Sequence, residues 1–138
     1  MKLNSIKQEG IGKILKRIFL PDPTIILAIL YGSAAEGRVR PDSDVDVAVA
    51  RKRPMGFEER LAIYETIGKH VKKSVDVVDL REAGDFFLSQ ILRTGKVLVC
   101  RDPELLVNLA KKVIYFNEDM APLRNKLIRS QTERFIHG

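Results

Sequence analysis

A single cysteine (Cys100), two histidines (His70 and His137) and no tryptophan mark this 138-residue chain as poor in several chemically versatile side chains. One cysteine cannot form an internal disulfide, so a reducing cytoplasm is the expected setting. Two isolated histidines and one cysteine offer no ligand cluster, which excludes a structural zinc site. Nor does any apolar run approach the ~20 residues needed to cross a bilayer. The stretch from Met1 to Gln8 lacks the basic-then-apolar layout of a secretory signal. There is no Ser-His-Asp set for acyl transfer and no Walker-type Gly-Lys-Ser/Thr. Aromatic and basic residues are not interleaved, so no base-stacking platform or direct nucleic-acid binding is expected.

What is present is ordinary globular material: 45% hydrophobic and 30% charged residues, enough for one domain spanning 1–138 with a substantial core. The formal net charge of +6 is uneven. Residues 1–20 carry five Lys/Arg against one Glu, and residues 101–138 carry seven against five acids. The stretch between them is neutral. The basic ends read as solvated helix faces, with RNA or an acidic partner protein as alternatives.

Hydrophobic periodicity organises the chain into alternating helices and strands. Ile6, Gly10, Ile11, Ile14, Leu15, Ile18 and Phe19 recur at helical spacing and stop at Pro21-Asp22-Pro23. The apolar, branched run from Thr24 to Tyr31 reads as a buried strand closed by Gly32. Ser33-Ala34-Ala35-Glu36 has the capping-box pattern of a short helix start, and Pro41-Asp42-Ser43 marks a turn. Asp44 to Ala50 alternates as a second strand. A helix is expected over Phe57 to Lys73, with Leu61, Tyr64, Ile67, Gly68 and Val71 on one side. Val75–Leu80 reads as a third strand, Ala83–Arg93 as a helix, and Lys96–Cys100 as a fourth strand, Cys100 being a small core residue. Leu105, Leu106, Leu109, Val113 and Phe116 give a further helix after Asp102-Pro103, and Pro122 opens a last one. The expected class is α/β (α+β): a core over about 10–100 with a small mixed sheet of three to four strands flanked by helices, then a helical tail over about 103–136.

Chemistry concentrates in Gly32-Ser33, ten further residues, then Asp44-Val45-Asp46. Side chains two apart on a strand share a face, with Cα atoms roughly 6–7 Å apart. Asp44 and Asp46 therefore project together, and Val45, Val47 and Val49 point the other way. Two adjacent carboxylates repel unless one holds a proton or a cation lies between them. Paired carboxylates can bridge two Mg²⁺ ions about 3.5–4 Å apart for in-line phosphoryl displacement. Alone, Asp-x-Asp also fits two solvated acids. Gly32 adds a point of close backbone approach, and the helix start after it offers unpaired N–H groups for a phosphate. Ser33 can donate to that phosphate or simply cap the helix. Arg38 and Arg40, in the loop between the two halves, either neutralise a triphosphate tail or stay solvated.

Gly32-Ser33-(ten residues)-Asp44-x-Asp46, set in Leu30-Tyr31-Gly32-Ser33-Ala34-Ala35-Glu36-Gly37 and Ser43 to Val49, resembles the minimal nucleotidyltransferases (MNT) of the polymerase-beta superfamily. More narrowly it is similar to MntA-type antitoxins, which pair with HEPN-domain toxins. The likeness covers about residues 10–100 and continues through Val75 to Arg81 and Leu92 to Leu98. It implies the nucleotidyltransferase fold, and a Mg²⁺-dependent transfer of AMP from ATP, with two ions, to a tyrosine of a partner HEPN toxin. It also implies a third metal carboxylate on the next strand. Asp76 holds the position the family pattern favours, and a Lys72 or Lys73 ion pair is its bland alternative. Asp79 has the opposite parity and reads as a turn or cap acid. Two other functions stay in view: a catalytically vestigial antitoxin that acts by stoichiometric binding, and a small-molecule nucleotidyltransferase. Homo-oligomerisation is left open.

Overall fold

The computed structural model describes residues 2–32, 35 and 44–116, with residues 2–9 described by backbone alone. The elements in order are α1 (Lys2–Phe19), β1 (Leu27–Tyr31), β2 (Val45–Ala50), α2 (Phe57–Gly68), β3 (Val75–Asp79), α3 (Asp85–Thr94) and β4 (Lys96–Cys100). A further helix, α4, covers residues 103–116. The strands form one mixed sheet in the order β3-β2-β1-β4. β1 runs antiparallel to both β2 and β4, whereas β2 and β3 are parallel.

Both faces of the sheet are covered, which explains why β1 is apolar at every position. On one face Ala28, Leu30, Val45, Val47 and Val49 pack with Leu15 and Phe19 of α1 and with Ile63 and Ile67 of α2. On the other, Leu27, Ile29, Tyr31, Ala48 and Ala50 pack with Leu88 and Ile91 of α3 and Leu109 of α4. Thus the alternation along β2 sorts side chains between two cores.

Local chemistry sets the boundaries. α1 ends at Phe19, one residue short of Leu20 and Pro21, and Asp22 Oδ1 then accepts from the Thr24 N–H at 3.0 Å and the Thr24 hydroxyl at 2.6 Å. That turn delays β1 to Leu27, three residues later than the apolar run suggests. Asp102 accepts from the Leu105 N–H at 3.2 Å, capping α4 with Pro103 in the first turn. Gly95 ends α3 where a Cβ would collide with Ile29 and with the Ile91 carbonyl. The chain can turn from α3 into β4 there only without a side chain.

Two expectations are corrected. α2 stops at Gly68, not Lys73, and buries Ile63 and Ile67. Leu61 and Tyr64 are 40% and 46% exposed. Of the side expected to be covered, Ile67 and Val71 are buried as read, and Ile63 packs with them in place of Leu61 and Tyr64. After Gly68 the Val71 N–H returns to the Ile67 carbonyl at 2.9 Å, so that Val71 is still buried. Cys100 is exposed, because at the end of edge strand β4 the buried positions are Leu98 and Val99. The helix start at Ser33, the turn at 41–43 and the helix opened by Pro122 lie outside the described residues. No helix among those described is long and apolar enough to cross a membrane.

Candidate functional site

Register brings the acidic residues together. Tyr31, the last residue of β1, pairs with Asp46 on β2, and Asp46 pairs with Asp76 on the parallel strand β3. Asp44 lies just before β2, shares the parity of Asp46, and is exposed. Asp46 is half-buried and Asp76 exposed. The carboxylates therefore gather on the α3 side of the sheet, at the end of β2 where the chain enters it.

Electrostatics agree with the register. Burial raises the Asp46 carboxyl above its ordinary range, and the charges of Asp76 and then Asp44 push it the same way. Burial likewise pushes the Tyr31 hydroxyl upward, followed by the charges of Asp46 and Asp76. All these influences on Asp46 disfavour its negative charge, the condition a divalent cation relieves.

Gly32 borders this cluster. Its φ is +76°, a conformation that side chains rarely adopt, and a Cβ there would stand 2.5 Å from Asp46 Oδ2. The glycine turn and the Asp-x-Asp strand are thus in direct apposition. The Ala35 N–H donates to the Gly32 carbonyl at 3.2 Å, which starts a turn immediately after β1. Ser33, Arg38 and Arg40 lie outside the described residues.

Asp79 is committed elsewhere. It is 3% exposed on the opposite parity to Asp76. Its Oδ2 accepts from the Met55 N–H at 2.7 Å and its Oδ1 from the Arg81 N–H at 2.9 Å. It closes β3 by a turn, as one of its expected roles had it. It does not cap α3, whose N-cap is Gly84 with no side-chain cap bond.

Among the described residues no three His, Cys, Asp or Glu side chains form a ready-made metal cage. Asp44 and Asp76 each lie within electrostatic reach of Asp46, and the three do not converge on one coordination sphere. That arrangement fits Mg²⁺, which takes one or two protein carboxylates and fills its shell with water and phosphate oxygens. A cavity of about 630 Å³ lined by Thr24, Arg51, Lys52, Arg53 and Glu59 opens at the other end of β2. There Arg51 is paired with Glu59 at 3.0 Å and with Asp22 at 3.7 Å, so this cavity is separate from the acidic cluster.

Sequence reasoning overlooked Tyr31, treating it only as the end of an apolar strand. Its side chain is buried beside the carboxylates, and its ring meets Phe87 of α3 edge-on, centroids 5.7 Å apart at 85°. Parity counted back across the β1–β2 pair from Asp46 would have found it, had the register been known.

Comparison with known proteins follows the same lines. The family described as Polymerase beta, Nucleotidyltransferase matches residues 13–104. The protein adenylyltransferase MntA of Shewanella oneidensis is 29% identical over 93 residues, 67% of each chain. A crystal structure of a toxin–antitoxin with AMP-PNP superposes with a TM-score of 0.70 at 22% identity, covering 88% of this chain and 98% of that one. A structure of a tri-AMPylated Shewanella oneidensis HEPN toxin in complex with an MNT antitoxin gives a TM-score of 0.64 at 21% identity, over 88% and 95%. At these identities the structural likeness speaks for the fold, and the family match spans well over half of the sequence. The chain belongs to the polymerase beta nucleotidyltransferase family.

Proposed function

We propose that this protein transfers AMP from ATP to a hydroxyl group, the acceptor being a tyrosine of a partner HEPN toxin that is silenced by the modification. The observation that carries the reaction class is the in-register pair Asp46–Asp76 beside Gly32, with the Asp44 charge acting on Asp46. The toxin as acceptor is supported by the name of the MntA relative and by the AMPylated HEPN toxin found with an MNT antitoxin.

In this reading Asp44, Asp46 and Asp76 are the residues that would hold Mg²⁺, two ions in all. The ions supply neutralisation of the triphosphate and of the charge that develops during transfer. Gly32 lets the backbone approach the phosphates, Ser33 donates its hydroxyl to them, and Arg38 and Arg40 offset their charge. The acceptor oxygen attacks the α-phosphorus in line. Its new bond to phosphorus forms as the bond to the β-phosphate bridging oxygen breaks, and pyrophosphate leaves with that electron pair. Asp76, the exposed carboxylate on the edge strand, takes the proton from the acceptor and returns it to solvent. Catalysis is then chiefly orientation and charge compensation. A single domain acting in the cytoplasm belongs to the same reading.

The test uses labelled ATP, Mg²⁺ and a HEPN-family toxin, with the wild type and with Asp44→Asn/Asp46→Asn. Transfer in the double variant should fall at least about a thousandfold, because charge stabilisation by a cation is worth several kcal/mol and each ~1.4 kcal/mol is a factor of ten. Undiminished labelling would remove the carboxylates from the reaction. Toxin neutralised equally well without any labelling would instead make the protein a stoichiometric cover.

A further inference from the structure

The Tyr31 hydroxyl is buried and has no hydrogen-bond partner among the described residues. A buried phenol normally finds one, since its desolvation is otherwise uncompensated. The neighbours in its core cluster, among them Ile29, Ala48, Leu88 and Ile91, have no side-chain acceptor. On the α3 side the ring rests against Phe87, which fixes its tilt without engaging the oxygen. Across the strand pair stands Asp46, and one strand further Asp76. Among the described residues, these are the carboxylates whose charges reach the Tyr31 hydroxyl.

We propose that Tyr31 is a positioning residue whose hydroxyl donates to the Asp46–Asp76 carboxylate pair when a divalent cation and nucleotide are bound, holding the carboxylates in their ligating orientation. The inference rests on the nucleotidyltransferase reading of these carboxylates. Its physical basis is that a ligating carboxylate has two oxygens, and the one turned away from the cation needs a donor to fix the group's rotation. Like charges on Asp46 and Asp76 oppose their drawing together around one donor. Charge neutralisation lets both carboxylates turn inward, toward a donor already locked by Phe87. A phenylalanine would fill the same space and make the same edge contact, so the oxygen atom alone carries the effect.

The experiment compares wild type with Tyr31→Phe by three measurements. Mn²⁺ binding in the presence of a non-hydrolysable ATP analogue is followed by electron paramagnetic resonance, the metal-free melting temperature by calorimetry, and AMP transfer by its kcat and KM. Tyr31→Phe should melt at or above the wild-type temperature and lose about tenfold in Mn²⁺ affinity, the lower end of what removing an outer-layer partner costs. Its KM for the metal–nucleotide should rise more than its kcat falls. Equal Mn²⁺ affinity in the two proteins overturns the role of Tyr31 and leaves the proposed reaction standing. A wild type that binds no Mn²⁺ with the analogue overturns both.

Discussion

Asp46 and Asp76 occupy the same register position on two parallel strands, and burial together with the charges of Asp76 and Asp44 holds the Asp46 carboxyl above its ordinary value of 3.8. A carboxyl with a raised folded-state value favours folding in its protonated form. That contribution is complete below the ordinary value and is lost as pH rises through the elevated one. Metal-free protein should therefore lose stability across that window, and Asp46→Asn should flatten the loss. Denaturant midpoints measured against pH in EDTA test this, and Mg²⁺ should restore part of the difference at neutral pH. Parallel profiles for the two proteins would mean that Asp46 is not under the repulsion described.

Gly32→Ala attacks the same carboxylate from the backbone side. The left-handed φ of +76° costs an L-residue about 1–2 kcal/mol. The new methyl would also sit 2.5 Å from Asp46 Oδ2 and force the carboxylate aside. Stability should drop by roughly that amount, and affinity for the Mg²⁺–ATP analogue should drop as well. Unchanged affinity would show that the close approach of Gly32 to Asp46 is incidental.

Asp79→Ala separates the buried acid from the reactive ones. It removes the acceptor for the Met55 and Arg81 N–H groups, at 2.7 and 2.9 Å, and leaving a buried donor unmatched costs about 1–3 kcal/mol. AMP transfer normalised to folded protein should not change. A stable variant with lost activity would return Asp79 to the candidate ligand set in place of Asp76.

The unequal burial along α2 predicts unequal consequences. Ile67 is fully buried, and Ile67→Ala should cost about 2–5 kcal/mol. Leu61 is 40% exposed, and Leu61→Ala should cost about 0.5 kcal/mol or less. Urea denaturation of the two variants decides the matter, and equal losses would contradict the packing of α2.

The mixed α/β class, the four strands and the helices flanking them were all legible in the sequence. The strand carrying Asp46 was legible too, because alternation is a local property. Parity also separated Asp76 from Asp79, and the structure adds what holds Asp79. What local pattern could not supply was register. Nothing within residues 24–31 or 44–50 says that Tyr31 lies opposite Asp46, since that depends on how the intervening loop closes. Along α2, Ile67 and Val71 were read correctly and Leu61 and Tyr64 were not, because only contact with the sheet decides which apolar side chains next to Ile67 are covered. Cys100 was misassigned because an edge strand exposes positions that an interior strand would cover.

The strand order has a dynamic consequence. Asp46 sits on β2, which is hydrogen-bonded on both sides, whereas Asp76 sits on β3 at the margin of the sheet. One carboxylate is thus anchored and the other is carried by a strand with a single neighbour. Partial peeling of β3 would widen the gap between them while the rest of the molecule remains folded, and marginal strands open at lower free energy than central ones. Amide hydrogens of β3 should exchange faster than those of β2, and occupancy by nucleotide and cation should slow β3 selectively.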